Sequence, residues 1–361
     1  MKKTLSWLVI LCIIVPMCFV SCAKKDEGGT SAVSSGISYQ ETSSEIAKTE
    51  GDGEFTFAFD PYVLPLEIKS ALGSTSYYKA FVDAVLASEE RVSVPSRDYY
   101  DKIRFAMGEC FPFSALVSGY RYDNEKNQIL ISYNYTQTHI EKINNFEKSV
   151  QEIFDECVKN TDGDVMAAIS LYSWISQNIT ITQDNTVSDK PNDDTASSEI
   201  ASDETEYTQD DENEIKSDIY NTLIEKKGTA ASVASLYNFL LMQLGIECKT
   251  VSGWNSQSYK TWNMLELDSK WYHCDITSEQ KETDGEGLKY FGMTEKMASE
   301  IVGGNEIYTG QFTWFTSDLP KSNSTRFKDF VNIVSWEMNT NRDGIVAFTD
   351  EYSRFSWNIK D

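Results

Sequence analysis

The chain has 361 residues, with 32 Lys and Arg against 56 Asp and Glu, and a formal net charge of −24. Binding to the phosphates of nucleic acid needs a basic surface, so this charge excludes nucleic acid as a natural partner. Only two His residues are present and no Cys-x-x-Cys pair occurs, which excludes a His-rich or zinc-finger metal site. No motif implies a cofactor.

The N-terminus has the pattern of a bacterial export signal over residues 1–21. Two lysines precede the apolar stretch LSWLVILCIIVPMCFV, which is short for a membrane span. The next residues complete the segment FVSC, which resembles a lipoprotein box whose Cys22 becomes the acylated first residue of the mature protein. We therefore expect a lipid anchor that holds the protein on the extracytoplasmic face of a cell membrane. An ordinary cleaved signal and an uncleaved anchor are the alternatives.

Residues 22–53 are rich in Ser, Gly, Thr and charge, which predicts a flexible tether. An N-terminal α+β region follows over residues 54–144. It contains a helix pattern, SYYKAFVDAVLASEE, and a β-hairpin pattern in which the turn DNEKN separates SALVSGYRY from QILISYNY. Two further helices are predicted by the apolar spacing of THIEKINNFEKSVQEIFDECVKN and of DGDVMAAISLYSWISQNI, the second with an Asp N-cap.

Residues 183–215 contain about a dozen carboxylates and one Lys. Low hydrophobicity with charge of one sign cannot bury enough surface to order a segment, so a disordered acidic insertion is predicted. Calcium binding is the alternative interpretation. The aspartates, however, lack the spacing and the central Gly of an EF-hand loop.

The segment GTAASVASLYNFLLMQLG predicts an amphipathic helix that begins near Ala230 and ends at Gly245. Position 230 lies in its first turn, where free backbone N–H groups and the helix dipole lower the pKa of a thiol and stabilise an oxyanion. A strand, IECKTVSG, comes next. Two alternating strands follow, 262–267 and 271–276, joined by the tight turn Asp268-Ser269-Lys270.

This order of elements resembles the transglutaminase-like superfamily, with its papain-like Cys-His-Asp fold, over about residues 145–300. In the exported bacterial branch a GVC turn is followed by HAWN and WYHVDVT. Here the position of the nucleophilic Cys is Ala230, in Gly-Thr-Ala, and the position of the base His is Lys260, in Lys-Thr-Trp-Asn. The orienting acid is kept as Asp275, in Cys-Asp-Ile-Thr. The resemblance therefore implies a triad from which two of the three chemical groups are missing.

The fold expected from this resemblance is α+β. Helices pack on an antiparallel sheet in a transglutaminase-like domain over residues 145–310, which includes the acidic insertion. The hairpin-and-helix region precedes this domain, and the alternating patterns of residues 311–361 predict C-terminal strands.

Catalysis in this fold needs a thiolate formed by an imidazole that a carboxylate orients. Ala230 offers no nucleophile, and a Lys side chain is normally charged at neutral pH. A hydroxyl of Thr229 or Ser232 paired with Lys260 would form a substitute dyad. The simpler interpretation makes Thr229 a helix cap and places Ser232 on the helix surface. We also expect Lys260 and Asp275 to form a salt bridge in place of the His–Asp pair.

Three side chains near the acid have open roles. His273 lies two residues before Asp275 and on the same strand face, where a structural or hydrogen-bonding role is favoured over a role as base. Cys274 and Cys248 are expected to be packed thiols rather than nucleophiles. The cysteines after the leader form one or two disulfides or stay as buried thiols: Cys110, Cys157, Cys248 and Cys274.

Four aromatic residues lie near the predicted cleft. Trp254, Tyr259, Trp262 and Trp271 could form a binding platform, although Trp262 and Trp271 occupy positions that are core positions in the resembled family. The sequence thus predicts an inactive, membrane-anchored transglutaminase-like protein that binds a peptide, a cell-wall fragment or a protein partner. The alternatives are an active hydrolase or acyltransferase that uses non-standard residues, and a spacer or assembly subunit without a functional cleft.

Overall fold

The computed structural model describes residues 57–134, 139–160, 162–182, 218–254, 259–302, 307–308, 319–351 and 353–359. All of them fall within one compact unit, residues 36–361. The predicted leader, the tether and the whole acidic insertion lie outside the described residues. So do the side chains of Trp254 and Tyr259, whose backbone is described.

The N-terminal region consists of helices and a three-stranded antiparallel sheet. The predicted helix and hairpin are both present, although the helix ends at Leu86 rather than at Glu90. A further helix between them follows Ser96, whose side chain accepts a bond from the backbone N–H of Tyr99 and thereby caps it. The elements are α1 (Leu66–Leu72), α2 (Ser76–Leu86), β1 (Arg91–Ser93), α3 (Arg97–Glu109), β2 (Val117–Asp123) and β3 (Gln128–Tyr133), with strand order β1-β3-β2.

Two long helices, α4 (His139–Cys157) and α5 (Asp164–Asn178), come next, as predicted. The expected Asp cap of α5 is wrong, because the N-cap residue is Gly163 and makes no side-chain cap bond. Asp162 is unavailable for capping because its carboxylate binds the guanidinium of Arg342. Asp164 lies in the first turn of α5, where its charge is favourable to the helix dipole.

A four-stranded antiparallel sheet and the helix α7 form the second half of the molecule. The turn at Asp268 and Ser269 has φ values of 50° and 58°, as a tight hairpin with two left-handed residues requires. The elements are β4 (Thr180–Ile181), α6 (Ile219–Glu225), β5 (Lys227–Gly228), α7 (Ala230–Gln243), β6 (Cys248–Trp254), β7 (Tyr259–Leu267), β8 (Lys270–Cys274), α8 (Ile276–Thr283), α9 (Glu295–Val302) and β9 (Ile307–Tyr308). The sheet has the order β8-β7-β6-β9, and β4 pairs with β5 in parallel.

The C-terminal residues form a separate antiparallel sheet of β10 (Ile333–Met338), β11 (Gly344–Thr349) and β12 (Arg354–Asn358), which confirms the strands predicted there. Arg342, in the β10–β11 turn, reaches back to the loop between α4 and α5. Its Nε and Nη2 each lie 2.6 Å from a different carboxylate oxygen of Asp162, and Nη2 also donates to the carbonyl of Cys157 at 2.8 Å. This bidentate ion pair fixes the C-terminal hairpin to the helices.

One apolar cluster connects the N-terminal helices, α4 to α7 and the C-terminal sheet. Within it α7 is buried on nearly all sides, since Phe239 and Leu240 are both fully buried. The sequence pattern predicted one buried face, but a helix enclosed between other helices and a sheet is apolar all round. A second, small cluster covers the opposite face of the sheet and consists of Val251, Trp262, Met264 and Ala298.

Candidate functional site

The first turn of α7 places Ala230 where the resemblance puts a nucleophile. Thr229 is the N-cap, and its Oγ1 accepts a bond from the N–H of Ser232 at 3.2 Å. The carbonyl of Thr229 accepts from the N–H of Val233 at 2.9 Å, which begins the helix. The helix start is therefore well formed, and its first residue carries only a methyl group.

Ser232 was expected on the helix surface, and this expectation is wrong. The residue is 7% exposed, and its hydroxyl donates to the carbonyl of Thr229 at 3.2 Å. The cause is the close packing of α6 against the turn that precedes α7. A Cβ atom on Gly228 would lie 2.5 Å from Ser232 Oγ and 2.7 Å from Thr222 Oγ1, so only glycine fits between these two side chains.

Asp275 does not lie on a strand. The predicted strand 271–276 ends at Cys274, and Asp275 is instead the N-cap of α8. Its Oδ1 accepts from the N–H of Ser278 at 2.9 Å and its Oδ2 accepts from the hydroxyl of Ser278 at 2.7 Å. The carboxylate is 2% exposed. Asp is a favoured N-cap residue because its carboxylate accepts from a free N–H of the first helical turn, and the alternating pattern that predicted a strand to residue 276 does not include this local preference.

Lys260 forms the predicted salt bridge. Its Nζ lies 2.9 Å from Oδ2 of Asp275, and it also donates to the hydroxyl of Ser278. The side chain of Lys260 is 26% exposed, whereas that of Asp275 is buried. The site therefore contains a three-membered cluster of ammonium, carboxylate and hydroxyl. We call Lys260, Asp275 and Ser278 the lysine cluster.

Trp262 and Asn263, the next residues of β7, form hydrogen bonds to neighbouring elements on opposite faces of the sheet. Asn263 Nδ2 lies 2.8 Å from the carbonyl of Ala234 in α7 and 2.8 Å from Oδ1 of Asn238. Trp262 Nε1 donates to Nδ1 of His273 at 2.9 Å. Asn263 thus fixes the strand of Lys260 against the helix of Ala230.

His273 has the structural role that the sequence favoured. It is 1% exposed, and its Nδ1 is occupied by the indole N–H of Trp262. Burial lowers the pKa of His273 to about 4, so the ring is neutral at physiological pH. This histidine accepts a structural hydrogen bond and is not placed to act as base.

Two residues behind Asp275 were not found from the sequence. The hydroxyl of Tyr172 lies 3.1 Å from the carbonyl of Asp275 and 3.0 Å from Oε2 of Glu279. Glu279 is fully buried, and burial raises its pKa, while bonds from the N–H of Tyr290 and the hydroxyl of Thr283 oppose that effect. These contacts hold the start of α8 in place. For Ser278 the available sequence signal was the preference of Asp for the N-cap position, since an N-cap carboxylate accepts from the N–H of the third residue after it.

The thiols of Cys248 and Cys274 are fully buried, as expected for packed side chains. Burial raises both pKa values, so neither is a ready thiolate. Cys248 Sγ lies 3.3 Å from the carbonyl of Asn238, and Cys274 Sγ accepts from the N–H of Gly292 at 3.4 Å. All four cysteines that the structure describes are free and buried: Cys110, Cys157, Cys248 and Cys274.

The aromatic platform is not present at Trp262. That residue is 2% exposed and packs with Met264 and Val251, so its predicted packing role is confirmed. Trp271 is partly buried against the same cluster, with the ammonium of Lys249 lying 5.1 Å from the ring centroid. The remaining two positions are Trp254 and Tyr259. Their backbones lie opposite each other at the end of the β6–β7 ladder.

Within the described ranges, no three His, Cys, Asp or Glu side chains converge as a metal site would require. The calcium-binding alternative concerns residues outside those ranges. Of the helices that are described, none combines the length and apolarity that crossing a bilayer demands.

These features define a class: an α+β protein in which a capped helix start, a Trp-Asn strand and a buried acid lie close together. Comparison with known proteins agrees. A model of the transglutaminase-like superfamily matches residues 194–276, which contain Ala230, Lys260 and Asp275. The chain therefore carries a transglutaminase-like region.

No curated protein matches the chain. Among solved structures, one match is a "putative cysteine protease" from Cytophaga hutchinsonii, with 15% sequence identity and a TM-score of 0.24. The match covers 36% of this chain and 37% of that chain, so this protein matches little more than a third of the other's length.

Proposed function

We propose that this protein is a catalytically inactive transglutaminase-like protein, anchored to the extracytoplasmic face of a bacterial membrane, whose cleft binds a peptide, a cell-wall fragment or a protein partner. One observation carries the proposal. Ala230 occupies the first turn of α7, while Lys260 Nζ lies 2.9 Å from Asp275 in an ion pair. The site has lost its nucleophile, and its acid is engaged by a cation.

The lysine cluster supports the loss of catalysis. A charged ammonium carries three donors and no lone pair, so it cannot accept a proton from a nucleophile. Two of these donors bond to Asp275 and Ser278.

The substitute dyads are not supported by the observed bonds. The hydroxyls of Thr229 and Ser232 lie 3.4 Å apart and serve the helix cap. The hydroxyl bonded to Lys260 is that of Ser278, which is 6% exposed and donates its hydrogen to Asp275. A serine that donates to a buried carboxylate and accepts from an ammonium is positioned as a helix cap partner rather than as a nucleophile.

Inactivity is tested with the mature protein and both substrate types of the class, namely glutamine peptides with amine donors for transfer and short peptides for hydrolysis. We expect no turnover above the rate without protein. Turnover that disappears in Lys260→Ala or Ser278→Ala but persists in the surface control Lys296→Ala would overturn the proposal and establish an enzyme with non-standard residues.

Binding is tested separately, by titrating peptidoglycan fragments and peptide libraries against the protein and measuring calorimetric or fluorescence saturation. The expected result is saturable binding that weakens at least about ten-fold in Lys260→Glu, which reverses the only exposed charge of the lysine cluster. If no ligand saturates and the membrane-anchored chain associates only with itself, the spacer or assembly role replaces the binding role.

The anchor is tested by mass spectrometry of the N-terminal peptide from membrane fractions. Diacylglyceryl modification of Cys22 and release of Cys22→Ser into the soluble fraction are expected. An unmodified Cys22 in membrane-bound protein would contradict lipidation and leave an uncleaved apolar anchor.

A further inference from the structure

Glu279 is a buried carboxylate one helical turn after Asp275. It lies in the first turn of α8 and is 0% exposed. Among the described residues it takes part in no ion pair. Its Oε2 accepts from the hydroxyl of Tyr172 at 3.0 Å and from the N–H of Tyr290 at 2.8 Å, and its Oε1 accepts from the hydroxyl of Thr283 at 2.8 Å. Hydrogen bonds from three places in the chain therefore replace the water that a carboxylate would otherwise need.

Two of these donors also hold the backbone of Asp275. The N–H of Asp275 donates to the carbonyl of Tyr290 at 3.0 Å, and the hydroxyl of Tyr172 lies 3.1 Å from the carbonyl of Asp275. Tyr290 is thus bonded through its N–H to Glu279 and through its carbonyl to Asp275. Tyr172 has one hydroxyl hydrogen, which it shares between the Glu279 carboxylate and the Asp275 carbonyl. Both backbone groups of Asp275 therefore contact a residue that Glu279 holds.

The loop that follows α8 passes close over the Glu279 carboxylate. A Cβ atom on Gly287 would lie 2.6 Å from Oε1 of Glu279, so only glycine fits there. Farther along the loop, the backbones of Met293 and His273 exchange two hydrogen bonds, of 2.8 and 2.9 Å. The segment that contains Tyr290 is thus held on both sides, against the carboxylate and against the end of β8.

We propose that Glu279 is the positioning residue of the lysine cluster, which holds the backbone of Asp275 and so places its carboxylate within reach of Lys260. An apolar side chain could fill the same space without the cost of burying a charge, so the presence of Glu279 is explained by what its oxygens hold. The consequence for ligand binding rests on the proposed function of the cleft, since Lys260 carries the exposed charge of the cluster.

The side chain of Lys260 provides the measurement, because its bonds to Asp275 and Ser278 depend on where that carboxylate lies. An amine held by oxygen acceptors reacts slowly with an acylating reagent, whereas an amine released into solvent reacts faster. The experiment is trace labelling of the folded, ligand-free protein with acetic anhydride at one fixed pH, followed by mass spectrometry of the lysine peptides. Lys296, whose side chain is 85% exposed, is the internal reference.

Glu279→Leu fills the space but accepts no hydrogen bond. We expect the reactivity of Lys260 relative to Lys296 to rise about ten-fold, the factor that corresponds to the loss of one charge-assisted hydrogen bond. Glu279→Gln keeps an oxygen that can accept from both tyrosines, while its amide group can donate to the hydroxyl oxygen of Thr283. Its reactivity ratio is expected to stay within about two-fold of the wild-type ratio.

Asp162→Asn is the matched control, because the side chain of Asp162 is also 0% exposed but binds Arg342 of the C-terminal hairpin. We expect this variant to leave the reactivity of Lys260 at the wild-type value. An equal rise in Asp162→Asn would mean a general loosening of the fold and would overturn the proposal. So would a folded Glu279→Leu with unchanged Lys260, or a Glu279→Gln that behaves like Glu279→Leu.

If Glu279→Leu does not fold, Tyr172→Phe takes its place. This variant removes only the hydroxyl and keeps the ring, which packs edge-on against Tyr237 and Phe291. We expect a smaller rise in the reactivity of Lys260, about three-fold, because one of the two contacts to the Asp275 backbone is lost. No rise in Tyr172→Phe overturns the proposal. Because no ligand is present, these outcomes are independent of whether the cleft binds anything.

Discussion

The two halves of the candidate site differ in what their side chains do. At the start of α7, Ala230 carries only a methyl group, and the cap formed by Thr229 and the close approach at Gly228 shape the helix start without it. At the junction of β7 and α8, the side chain of Lys260 bonds to Asp275 and Ser278. The first half is therefore independent of its central side chain, whereas the second half is built around it.

This difference predicts unequal costs of mutation in the two halves. Substitutions in the lysine cluster are expected to change the free energy of unfolding strongly. Substitutions at Ala230 are expected to change chemistry with little effect on stability.

The largest effect is expected for Lys260→Met. Removing the ammonium leaves the carboxylate of Asp275, which is 2% exposed, as a buried charge without its counterion. We expect a loss of about 3–5 kcal/mol in the free energy of unfolding, measured by urea denaturation. The double variant Lys260→Met/Asp275→Asn should recover most of this loss, because it removes the unpaired charge as well. Equal losses in the single and double variants would show that packing, and not charge pairing, dominates.

Acidification is expected to lower the free energy of unfolding, because the buried His273 is neutral in the folded protein. The pKa of His273 is about 4 in the folded state against 6.5 for an ordinary histidine, so the unfolded chain binds more protons between these values. The stabilisation from neutral His273 is fully present above pH 6.5 and is lost as pH falls to 4, by about 3 kcal/mol.

The measurement is the difference in unfolding free energy between wild type and His273→Gln at each pH, which cancels the titration of other groups. Gln can accept the indole bond of Trp262 but does not titrate. A difference that stays constant from pH 7 to pH 4 would contradict a buried neutral histidine.

Replacing Asn263, which bonds β7 to α7, is expected to have an intermediate effect on the free energy of unfolding. Asn263→Leu leaves the carbonyl of Ala234 and Oδ1 of Asn238 without their donor inside the core. The predicted cost is about 1–3 kcal/mol. Asn178→Leu provides the control, because Asn178 also donates to a carbonyl, that of Trp174, but is itself exposed at a helix end. Similar costs for both variants would mean that burial of the bond is unimportant.

Ala230→Cys is expected to have the smallest effect on stability, about 0.5 kcal/mol or less. The thiol would lie at a helix N-terminus, which lowers its pKa, and should therefore react with iodoacetamide faster than buried Cys248 or Cys274. Turnover of peptide substrates should stay absent, because the amine of Lys260 is bonded to Asp275 and Ser278. Adding Lys260→His is expected to give a detectable acyl-enzyme, and its absence would show that a thiol and an imidazole at these two positions do not suffice for acylation.

Local patterns allowed most of this arrangement to be predicted from the sequence. The start of α7 at Ala230, the cap at Thr229, the tight turn at Asp268 and the pairing of Lys260 with Asp275 each depend on residues that are close in sequence or on matched positions. The pairing was predicted although the reason was incomplete, because Asp275 caps a helix and is not part of the strand.

The missed features depend on contacts between distant segments. Ser232 is buried because Thr222 and Gly228 approach it, and the importance of Asn263 arises from its bond to α7. Glu279 and Tyr172 are more than one hundred residues apart in the chain. No periodicity in a single segment contains information about such neighbours.

The bidentate bond between Arg342 and Asp162 has a practical consequence for anyone who prepares fragments of this protein. A fragment that stops near residue 310, where the sequence places the end of the transglutaminase-like domain, would lack Arg342. The carboxylate of Asp162, which is 0% exposed, would then have no counterion. The smallest piece suited to expression and crystallisation therefore extends beyond the β10–β11 turn, and a reporter fused at the C-terminus belongs after β12.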